Sequence, residues 1–376
     1  MEETIFNIAI LGCGKVAHLH ANAISNLKNA RLSGVWSRTS KTAENFANQY
    51  STKAFTTIRE LVSKEKIDLA IICTPHPFHR QPAEEAAVAG AHILVEKPLA
   101  STLEDCDSMI DTCSKAGVKL GVISQRRWYE PVKRVKKAID DGKIGQPVFG
   151  TINMLGWRGK DYYESDAWRG TWEMEGGGVL VNQAPHQLDI LLWFMGEIEE
   201  VYGQWKNLNH HYIEVEDTAV AILKFKNGGL GNIIVSNSQK PGIYGKVQIH
   251  GENGASAGVQ TDGGAMFVAG MSNVLEPPVN DLWTIPGEEK NLKKWREEDR
   301  IFFQSIDPTV FYMEEQINDF LNALQEEREP LVTGYDGRKT VELFTAIYRS
   351  TRDNKPVQFP LEPEISRKDM DGRISR

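Results

Sequence analysis

A glycine-rich turn near the start of the chain constrains its fold more than any other feature. The apolar run Asn7–Leu11 stops at the segment Gly12-Cys13-Gly14-Lys15-Val16-Ala17, where a helical pattern begins. A strand, a glycine turn and a helix in this order can hold a dinucleotide, because the glycines let the backbone approach a pyrophosphate at the helix N-terminus. Glycine turns without a nucleotide are common, but the position directly after a strand favours the site. The predicted cofactor contacts in this turn are Gly12, Gly14, Lys15 and Val16.

Strands and helices alternate through the first third of the chain. Apolar runs occur at Arg31–Trp36, Asp68–Cys73, His92–Val95 and Lys119–Ile123, and helical patterns separate them. This alternation predicts an α/β Rossmann domain, a doubly wound parallel sheet over residues 1–125. Ligands bind such sheets at the carboxyl ends of the strands. The segments that follow these strands supply further predicted cofactor contacts: Thr74, Pro75, His76, His79, Glu96, Lys97 and Gln125.

The residues after the second strand bear on the choice of cofactor. An acidic residue about 20 positions beyond the glycines binds the ribose of NAD, whereas an arginine nearby accommodates the phosphate of NADP. Ser37 holds that position and Arg38 follows it. We therefore predict NADP or NAD as cofactor, with NADP favoured, and contacts from both residues.

Lys97 stands at the end of a predicted strand, between Glu96 and Pro98. A residue before proline is restricted to extended backbone, so the lysine is held at the edge where a nicotinamide would bind. There it could hydrogen-bond a substrate hydroxyl or, with its pKa lowered by burial, relay a proton. A solvent-exposed lysine is the alternative, and its position on the cofactor edge favours the catalytic role.

The pattern of predicted strands and helices changes in the remaining two-thirds of the chain. Strand patterns joined by short turns, with a hairpin signal at Asn227-Gly228, predict a mostly antiparallel sheet. We therefore predict an α+β domain over residues 126–376 for substrate binding and oligomerisation. An open sheet face commonly pairs with another subunit, so a homodimer or homotetramer is expected. The stretch 254–306 gives no clear pattern, and the tail after Pro363 is expected to be loosely held.

The segment from Gly176 to Asp189 joins a glycine triplet to a helix marked by Pro185. Asn182, His186 and Asp189 follow at spacings of four and three residues, which place them on one face of a helix or near-helix. Two interpretations stay open. His186 is either an acid–base residue facing a cavity or a structural histidine that pairs with Asp189.

The loop between Trp157 and Trp172 is rich in aromatic residues, charges and glycine. Aromatic faces and arginine forks suit a sugar ring with its hydroxyls, whereas a loop of packed tryptophans is the alternative. The predicted substrate contacts are Asn182, Arg127, Trp168 and Tyr163.

The composition argues against several classes of partner. The net charge of −8 has both signs interspersed, which disfavours nucleic acid or an anionic membrane. The four cysteines show no metal-ligand spacing, so we predict no metal and a reduced, cytoplasmic location. No apolar run is long enough to span a membrane, and the N-terminus lacks the basic region of a signal peptide.

Taken together, these motifs resemble the Gfo/Idh/MocA family of NAD(P)-dependent oxidoreductases. The resemblance covers the glycine turn with His20, Thr74-Pro75 with His79, Glu96-Lys97-Pro98, Gly176–Asp189 and the late segment Gly334–Arg338. It implies that Lys97 and His186 are catalytic and that Trp168-Arg169 lies near the nicotinamide end of the cofactor. Family members often have aspartate where this chain has Asn182. The resemblance therefore implies that proton transfer rests on Lys97 and His186, with Asp189 holding the imidazole.

By this resemblance, the chain is expected to move a hydride between nicotinamide and a secondary hydroxyl or ketone of a sugar, cyclitol or sugar derivative. Two other functions stay open. An NAD-dependent glycosidase that recycles its cofactor is disfavoured by Arg38, which points to an exchangeable NADP. A non-catalytic regulator that binds a dinucleotide has no need of both Lys97 and His186.

Overall fold

The computed structural model describes residues 4–262 and 275–363. The chain divides into two compact units. The first comprises the described residues up to Gln125 together with Pro308–Arg338, and the second comprises the other described residues. The break after Gln125 falls at the predicted boundary. Pro308–Arg338 differs from the prediction, because we placed it in the second domain and it lies in the first unit.

The first unit is built on a six-stranded sheet. Its strands are β1 (Phe6–Leu11), β2 (Ala30–Trp36), β3 (Ala54–Phe55), β4 (Leu69–Ile72), β5 (His92–Val95) and β6 (Leu120–Val122). They pair in the order β3-β2-β1-β4-β5-β6, and every pair is parallel. This confirms the predicted Rossmann sheet. The analysis of the sequence missed β3, because two residues give no pattern of alternation.

Helices connect these strands, as parallel pairing requires. They are α1 (Lys15–Asn26), α2 (Ser40–Gln49), α3 (Ile58–Glu65), α4 (Arg80–Val88) and α5 (Leu103–Ala116). Local chemistry sets the ends of α5. The Thr102 hydroxyl accepts the Asp105 N–H at the start, and Gly117 takes the left-handed conformation at the end, with φ +67°. β4 is buried along its whole length, as expected of a strand covered by helices on both faces.

The second unit is built on an eight-stranded sheet. Its strands are β7 (Pro147–Leu155), β8 (Ile198–Lys206), β9 (Thr218–Phe225), β10 (Leu230–Ser236), β11 (Tyr244–Gly251), β12 (Ser256–Asp262), β13 (Val279–Trp283) and β14 (Val357–Gln358). They pair in the order β13-β12-β11-β7-β10-β9-β8-β14. All pairs are antiparallel except β7 with β10, which confirms the mostly antiparallel sheet. The predicted hairpin at Asn227-Gly228 joins β9 to β10.

The later helices complete both units. They are α6 (Glu130–Asp140), α7 (Lys160–Glu164), α8 (Val179–Asn182), α9 (Pro185–Met195), α10 (Asn291–Ser305), α11 (Phe311–Gln325) and α12 (Gly334–Asp353). The stretch 254–306, which showed no clear sequence pattern, carries β12, β13 and α10. Its residues 263–274 and the tail 364–376 lie outside the described residues.

α11 explains why a late segment belongs to the first unit. Its Ile317 and Phe320 are buried in the apolar core of that unit. The side chain of Gln316 accepts the N–H of Ser124 (2.9 Å) and donates to the carbonyl of Val122 (2.8 Å). These bonds satisfy backbone groups at the end of β6, so α11 also holds the carboxyl end of that strand.

The two faces of the eight-stranded sheet differ. Along β9 the residues Ala219, Ala221 and Leu223 are buried, whereas Val220 and Ile222 between them are 45% and 63% exposed. Neighbouring strands add apolar residues to this exposed face, which we call the open face: Phe149, Tyr202, Leu230 and Ile234. The side chains alternate between the faces because a strand has a period of two residues.

Candidate active site

Gly12 forms the tight turn after β1. Its φ of +103° lies in a region that favours glycine, and a Cβ there would stand 2.5 Å from the backbone nitrogen of Thr74. Its N–H donates to the carbonyl of Trp36 (2.8 Å), which ties the turn to the end of β2. The sequence therefore needs glycine here for two separate reasons, conformation and space.

The start of α1 fits a pyrophosphate. Gly14 is the N-cap residue and has no side chain to cap the helix, and the first turn carries no acidic residue. A Cβ on Gly14 would meet nothing within 4 Å, so the backbone borders open space. The first N–H groups of a helix are donors with no intrahelical partner and attract anions. Lys15 and Val16, both predicted to contact the cofactor, form this first turn.

His79 supports the cofactor edge from inside. Its ring is 1% exposed and lies between two carbonyl oxygens, with Nδ1 3.1 Å from that of Leu99 and Nε2 2.9 Å from that of Thr74. Burial lowers the pKa of His79. The hydroxyl of Thr74 donates to the carbonyl of Phe78 (2.9 Å), in the turn that also contains Pro75 and the buried His76. These contacts hold the ring of His79 in place, and its contact with the cofactor stays a prediction.

Glu96 makes its hydrogen bonds within the first unit. Its carboxylate lies 2.8 Å from His20 Nε2 and accepts the N–H of Lys97 (3.1 Å). Burial alone would raise the pKa of Glu96, but the His20 hydrogen bond and the nearby charges of His20 and Lys97 lower it overall. The ionised carboxylate therefore fixes the backbone from which Lys97 projects. Lys97 itself is half-buried directly beyond β5.

Other predicted cofactor residues also lie at the carboxyl ends of strands. Ser37 is half-buried beyond β2, and Arg38 is exposed with its guanidinium 5.9 Å from the ring centroid of Phe78. Gln125 follows β6, and among the described residues its buried Oε1 accepts no hydrogen bond. An exposed arginine beside an exposed ring is available to a ligand phosphate.

In the second unit, a buried carboxylate organises the glycine triplet. Glu216 is fully buried and accepts the N–H groups of Gly178 (2.8 Å) and Leu180 (3.0 Å) and the hydroxyl of Tyr348 (2.9 Å). A Cβ on Gly178 would stand 1.8 Å from the carbonyl oxygen of Glu216, so only glycine fits. Burial raises the pKa of Glu216 to about 7 despite these hydrogen bonds. The sequence analysis missed Glu216, although an acid pair directly before an apolar strand was a signal that could have found it.

The stretch predicted as a helix or near-helix from Asn182 to Asp189 contains a break, although a helix does begin at Pro185. α8 ends at Asn182 and α9 begins at Pro185, so Asn182 and His186 occupy different helices and not one continuous helical face. The amide of Asn182 donates to the carboxylate of Glu175, which also accepts the N–H of Gly170 (2.6 Å). His186 is buried in the first turn of α9.

Arg127 and Asp189 form a buried ion pair. The Nε and Nη2 of Arg127 donate to the two carboxylate oxygens of Asp189 at 2.8 and 2.6 Å, and the guanidinium lies 4.9 Å from the ring centroid of Trp193. Arg127 is only 3% exposed. The structure therefore pairs Arg127 with Asp189. A substrate contact from Arg127 and a contact of Asp189 with the imidazole of His186 stay predictions.

Tyr163 belongs to a buried polar network. Its hydroxyl accepts the side-chain N–H of Asn237 (2.8 Å), which also donates to the side chain of Gln183 (3.2 Å). Gln183 in turn donates to the hydroxyl of Tyr162 (3.0 Å). Burial raises the pKa of Tyr162 to about 12, so its hydroxyl is neutral. The sequence analysis missed Gln183 and Asn237, because neither polar residue carries a distinctive spacing.

Arg169 joins this network from the aromatic loop. Its guanidinium donates to the Tyr162 hydroxyl, stands 4.2 Å from that ring centroid, and lies 4.4 Å from the ring centroid of Trp168. Its Nε donates to Asp166 (3.3 Å). The loop therefore combines features of both alternatives. Its aromatic residues pack together, and arginine side chains lie among them.

Two absences concern only residues 4–262 and 275–363. In that part of the chain, no group of three or more His, Cys, Asp or Glu side chains is placed to hold a metal ion. No helix there is long and apolar enough to cross a membrane.

A parallel Rossmann sheet with an open, uncapped helix start defines the class of dinucleotide-binding proteins. Residues 6–124 match the family described as "Oxidoreductase family, NAD-binding Rossmann fold", and residues 132–257 match the "GFO/IDH/MocA C-terminal domain". The chain belongs to the Gfo/Idh/MocA family of oxidoreductases, which confirms the resemblance of its motifs.

Named relatives cover nearly the whole chain. An inositol 2-dehydrogenase of Rhizobium meliloti (strain 1021) is 25% identical over 93% of this chain and 98% of its own length. A D-apiose dehydrogenase of Rhizobium rhizogenes is 25% identical over 96% and 99%. The WlbA dehydrogenase of Bordetella pertussis, solved in complex with NADH and UDP-GlcNAcA, is 29% identical with a TM-score of 0.83, over 96% of this chain and 100% of that one.

Proposed function

We propose that this oxidoreductase transfers a hydride between a nicotinamide cofactor and a secondary hydroxyl or ketone of a sugar, cyclitol or sugar derivative. The open start of α1 at Gly14 carries the proposal, since it leaves helix N–H groups available to a pyrophosphate. Relatives named as inositol and apiose dehydrogenases support the substrate class. The four cysteines are buried free thiols, which supports a reduced, cytoplasmic location.

Lys97 and His186 are assigned to the substrate oxygen. When bound, the cofactor accepts the hydride in oxidation and supplies it in reduction. His186 takes the proton of the hydroxyl in oxidation and returns it in reduction, and Lys97 donates a hydrogen bond to the oxygen as negative charge develops. Asn182 orients a hydroxyl, because an amide cannot accept the proton. Its own orientation is fixed by Glu175.

The choice between the two cofactors rests on the end of β2. Ser37 leaves no carboxylate at the position that binds a ribose in NAD-specific sites, and Arg38 is exposed beside it. We propose that NADP is accepted through Arg38. Because the WlbA dehydrogenase was solved in complex with NADH, every assay compares NADP with NAD.

The test combines substrates, cofactors and variants. Sugars and cyclitols are assayed by nicotinamide absorbance with NAD and NADP separately, using the wild type, Lys97→Ala, His186→Asn and the control Lys64→Ala. Lys64 is an exposed lysine of α3. We expect kcat to fall by about 100-fold or more in both active-site variants, with cofactor binding retained, because each removes a group that acts on the transferring proton or the developing charge.

Three outcomes would contradict the proposal. Unchanged turnover in Lys97→Ala removes the lysine from catalysis. Turnover without release of reduced cofactor points to a recycled cofactor, as in a glycosidase. Cofactor binding without turnover of any sugar or cyclitol points to a regulator.

A further inference from the structure

Arg158 is a buried arginine that forms no ion pair with any carboxylate in the described part of the chain. Its side chain is 8% exposed, and its Nη1 donates to the carbonyl of Trp157 (2.9 Å). Within residues 4–262 and 275–363, its buried Nε has no hydrogen-bond partner and no carboxylate lies within ion-pair distance. An unpaired buried charge is costly, so its retention calls for an explanation.

Arg127 shows what such a side chain does when a carboxylate is present. Of the two arginines that are buried in the described part of the chain, Arg127 places its Nε–Nη2 edge against Asp189 in a bidentate pair. The Nε of the same edge in Arg158 is unused. This edge matches the two oxygens of a carboxylate in spacing and plane.

The surroundings of Arg158 carry excess positive charge. Its guanidinium lies 5.4 Å from the ring centroid of Tyr162, and that of Arg169 lies 4.2 Å from the same centroid. Asp166 bonds Arg169, and Asp262 accepts the side chains of Arg126 (2.5 Å) and Gln187 (2.9 Å), so these carboxylates are engaged elsewhere. Burial lowers the pKa of Arg158, as expected when no anion compensates the guanidinium.

The position of Arg158 connects it to the proposed substrate groups. Its backbone N–H donates to the carbonyl of Asn237 (2.9 Å), directly beyond β10. Tyr162, whose ring it faces, accepts a hydrogen bond from Gln183. Gln183 stands in the chain between Asn182 and His186, in the break between α8 and α9. One aromatic ring therefore separates the unpaired guanidinium from that break.

We propose that Arg158 binds a carboxylate of the substrate, so that the preferred substrates are sugar acids or similarly anionic polyols. This inference rests on the proposed function and narrows its substrate class. The carboxylate occupies the Nε–Nη2 edge and supplies the counter-charge that no described residue provides. A neutral sugar leaves the buried guanidinium unpaired and binds less tightly.

The kinetic test pairs each acid with its neutral counterpart. D-glucuronate with D-glucose and D-galacturonate with D-galactose are compared, together with glucose 6-phosphate, using the wild type, Arg158→Met and Lys160→Met. Lys160 is an exposed lysine of the same loop, with a side chain that is 65% exposed. We expect kcat/KM of the wild type to favour the acids at least tenfold. Arg158→Met should abolish this preference through KM, and Lys160→Met should keep it.

A second measurement does not depend on turnover. Removing an uncompensated buried charge stabilises a protein, whereas removing one member of a buried pair destabilises it. Without ligand, Arg158→Met should therefore raise the melting temperature by about 2 °C or more, and Arg127→Met should lower it. D-glucuronate should raise the melting temperature of the wild type but not that of Arg158→Met.

Failure of the inference is distinguishable from failure of the proposed function. If kcat/KM is as high for neutral sugars as for the acids, or if Arg158→Met lowers it equally for both, the proposed oxidoreductase activity is retained but the carboxylate site is contradicted. A preference for glucose 6-phosphate over the acids replaces carboxylate by phosphate and overturns the inference as stated. A lower melting temperature in Arg158→Met shows a structural arginine and also overturns it.

Discussion

The two sheets of this protein are used in different ways. In the six-stranded sheet, inner strands such as β4 are buried on both faces, and the groups assigned to the cofactor lie in turns at the carboxyl ends of the strands. The eight-stranded sheet buries one face, exposes apolar residues on the other, and borders buried polar side chains that hydrogen-bond to one another and to backbone groups. The proposed cofactor site therefore depends mainly on backbone shape, and the proposed substrate site depends on individual side chains. Substrate choice can thus change by substitution while the cofactor turn stays fixed.

The largest effect is expected from a change in backbone shape at the cofactor turn. Gly12→Ala introduces a side chain at φ +103° and places its Cβ 2.5 Å from the nitrogen of Thr74. Strain at such a backbone and the clash each cost about 1–3 kcal/mol. We expect affinity for NAD and NADP to fall by about 100-fold or more. Calorimetric titration with each cofactor measures the loss.

Gly90→Ala is the matched control, because Gly90 has a φ of +100° in the same unit but open space around its missing Cβ. It should cost some stability and leave cofactor affinity unchanged. If both variants bind the cofactor as the wild type does, the turn does not depend on backbone shape in the way we argue.

The difference between backbone shape in the first unit and individual side chains in the second also explains which features could be predicted from the sequence. The glycine turn, the parallel strands and the strand-end positions of Thr74, Lys97 and Gln125 follow from local patterns, because alternation and glycine spacing are encoded over short distances. The partners of Arg127 and Glu216 were not predictable. Each depends on which groups lie across the fold, as Asp189 does for Arg127 at 62 positions away.

The return of Pro308–Arg338 to the first unit was missed for a related reason. An amphipathic helix shows that one face is buried but not against which sheet. The contacts of Gln316 with Val122 and Ser124 join segments about 190 residues apart, and no local pattern carries that information.

The open face is a further difference between the two sheets, since the described strands of the six-stranded sheet present no such exposed apolar face. Ile222 and Val220 lie at its centre with exposed side chains, and an apolar patch of this kind marks an interaction surface. We propose that it pairs with a second copy of the chain. Ile222→Asp places a charge on each side of a symmetric interface, so subunit dissociation should be favoured by about 100-fold. Light scattering across a dilution series measures this change.

Val88→Asp is the control, because Val88 is 75% exposed on α4, in the first unit. It should leave the mass unchanged. A monomeric wild type, or an Ile222→Asp variant with the same mass as the wild type, would remove the open face as an interface.

The smallest effect concerns two neighbouring acids of the second unit. Burial raises the pKa of Glu216 from 4.5 to about 7. Burial alone would also raise the pKa of Asp217, but the nearby His210 imidazole and the N–H groups of Leu208 and Asn209 hold it well below its ordinary value. The two carboxylates thus give opposite contributions to stability as pH changes.

The sign follows from which state holds the proton. Between about pH 4.5 and pH 7 the unfolded chain has released the proton of Glu216 while the folded chain retains it, so stability falls as pH rises, on the order of 2 kcal/mol in total. Asp217 is ionised in both states above about pH 5, so its stabilisation is constant in this window and is lost only at lower pH. Urea unfolding across this range should therefore show a flatter pH profile for Glu216→Gln. Asp217→Asn should keep the wild-type slope at a uniformly lower stability. If the free energy of unfolding changes equally with pH in the wild type and in Glu216→Gln, the carboxylate of Glu216 is ionised across the whole range. The stability of the second unit would then depend less on this buried side chain than we argue.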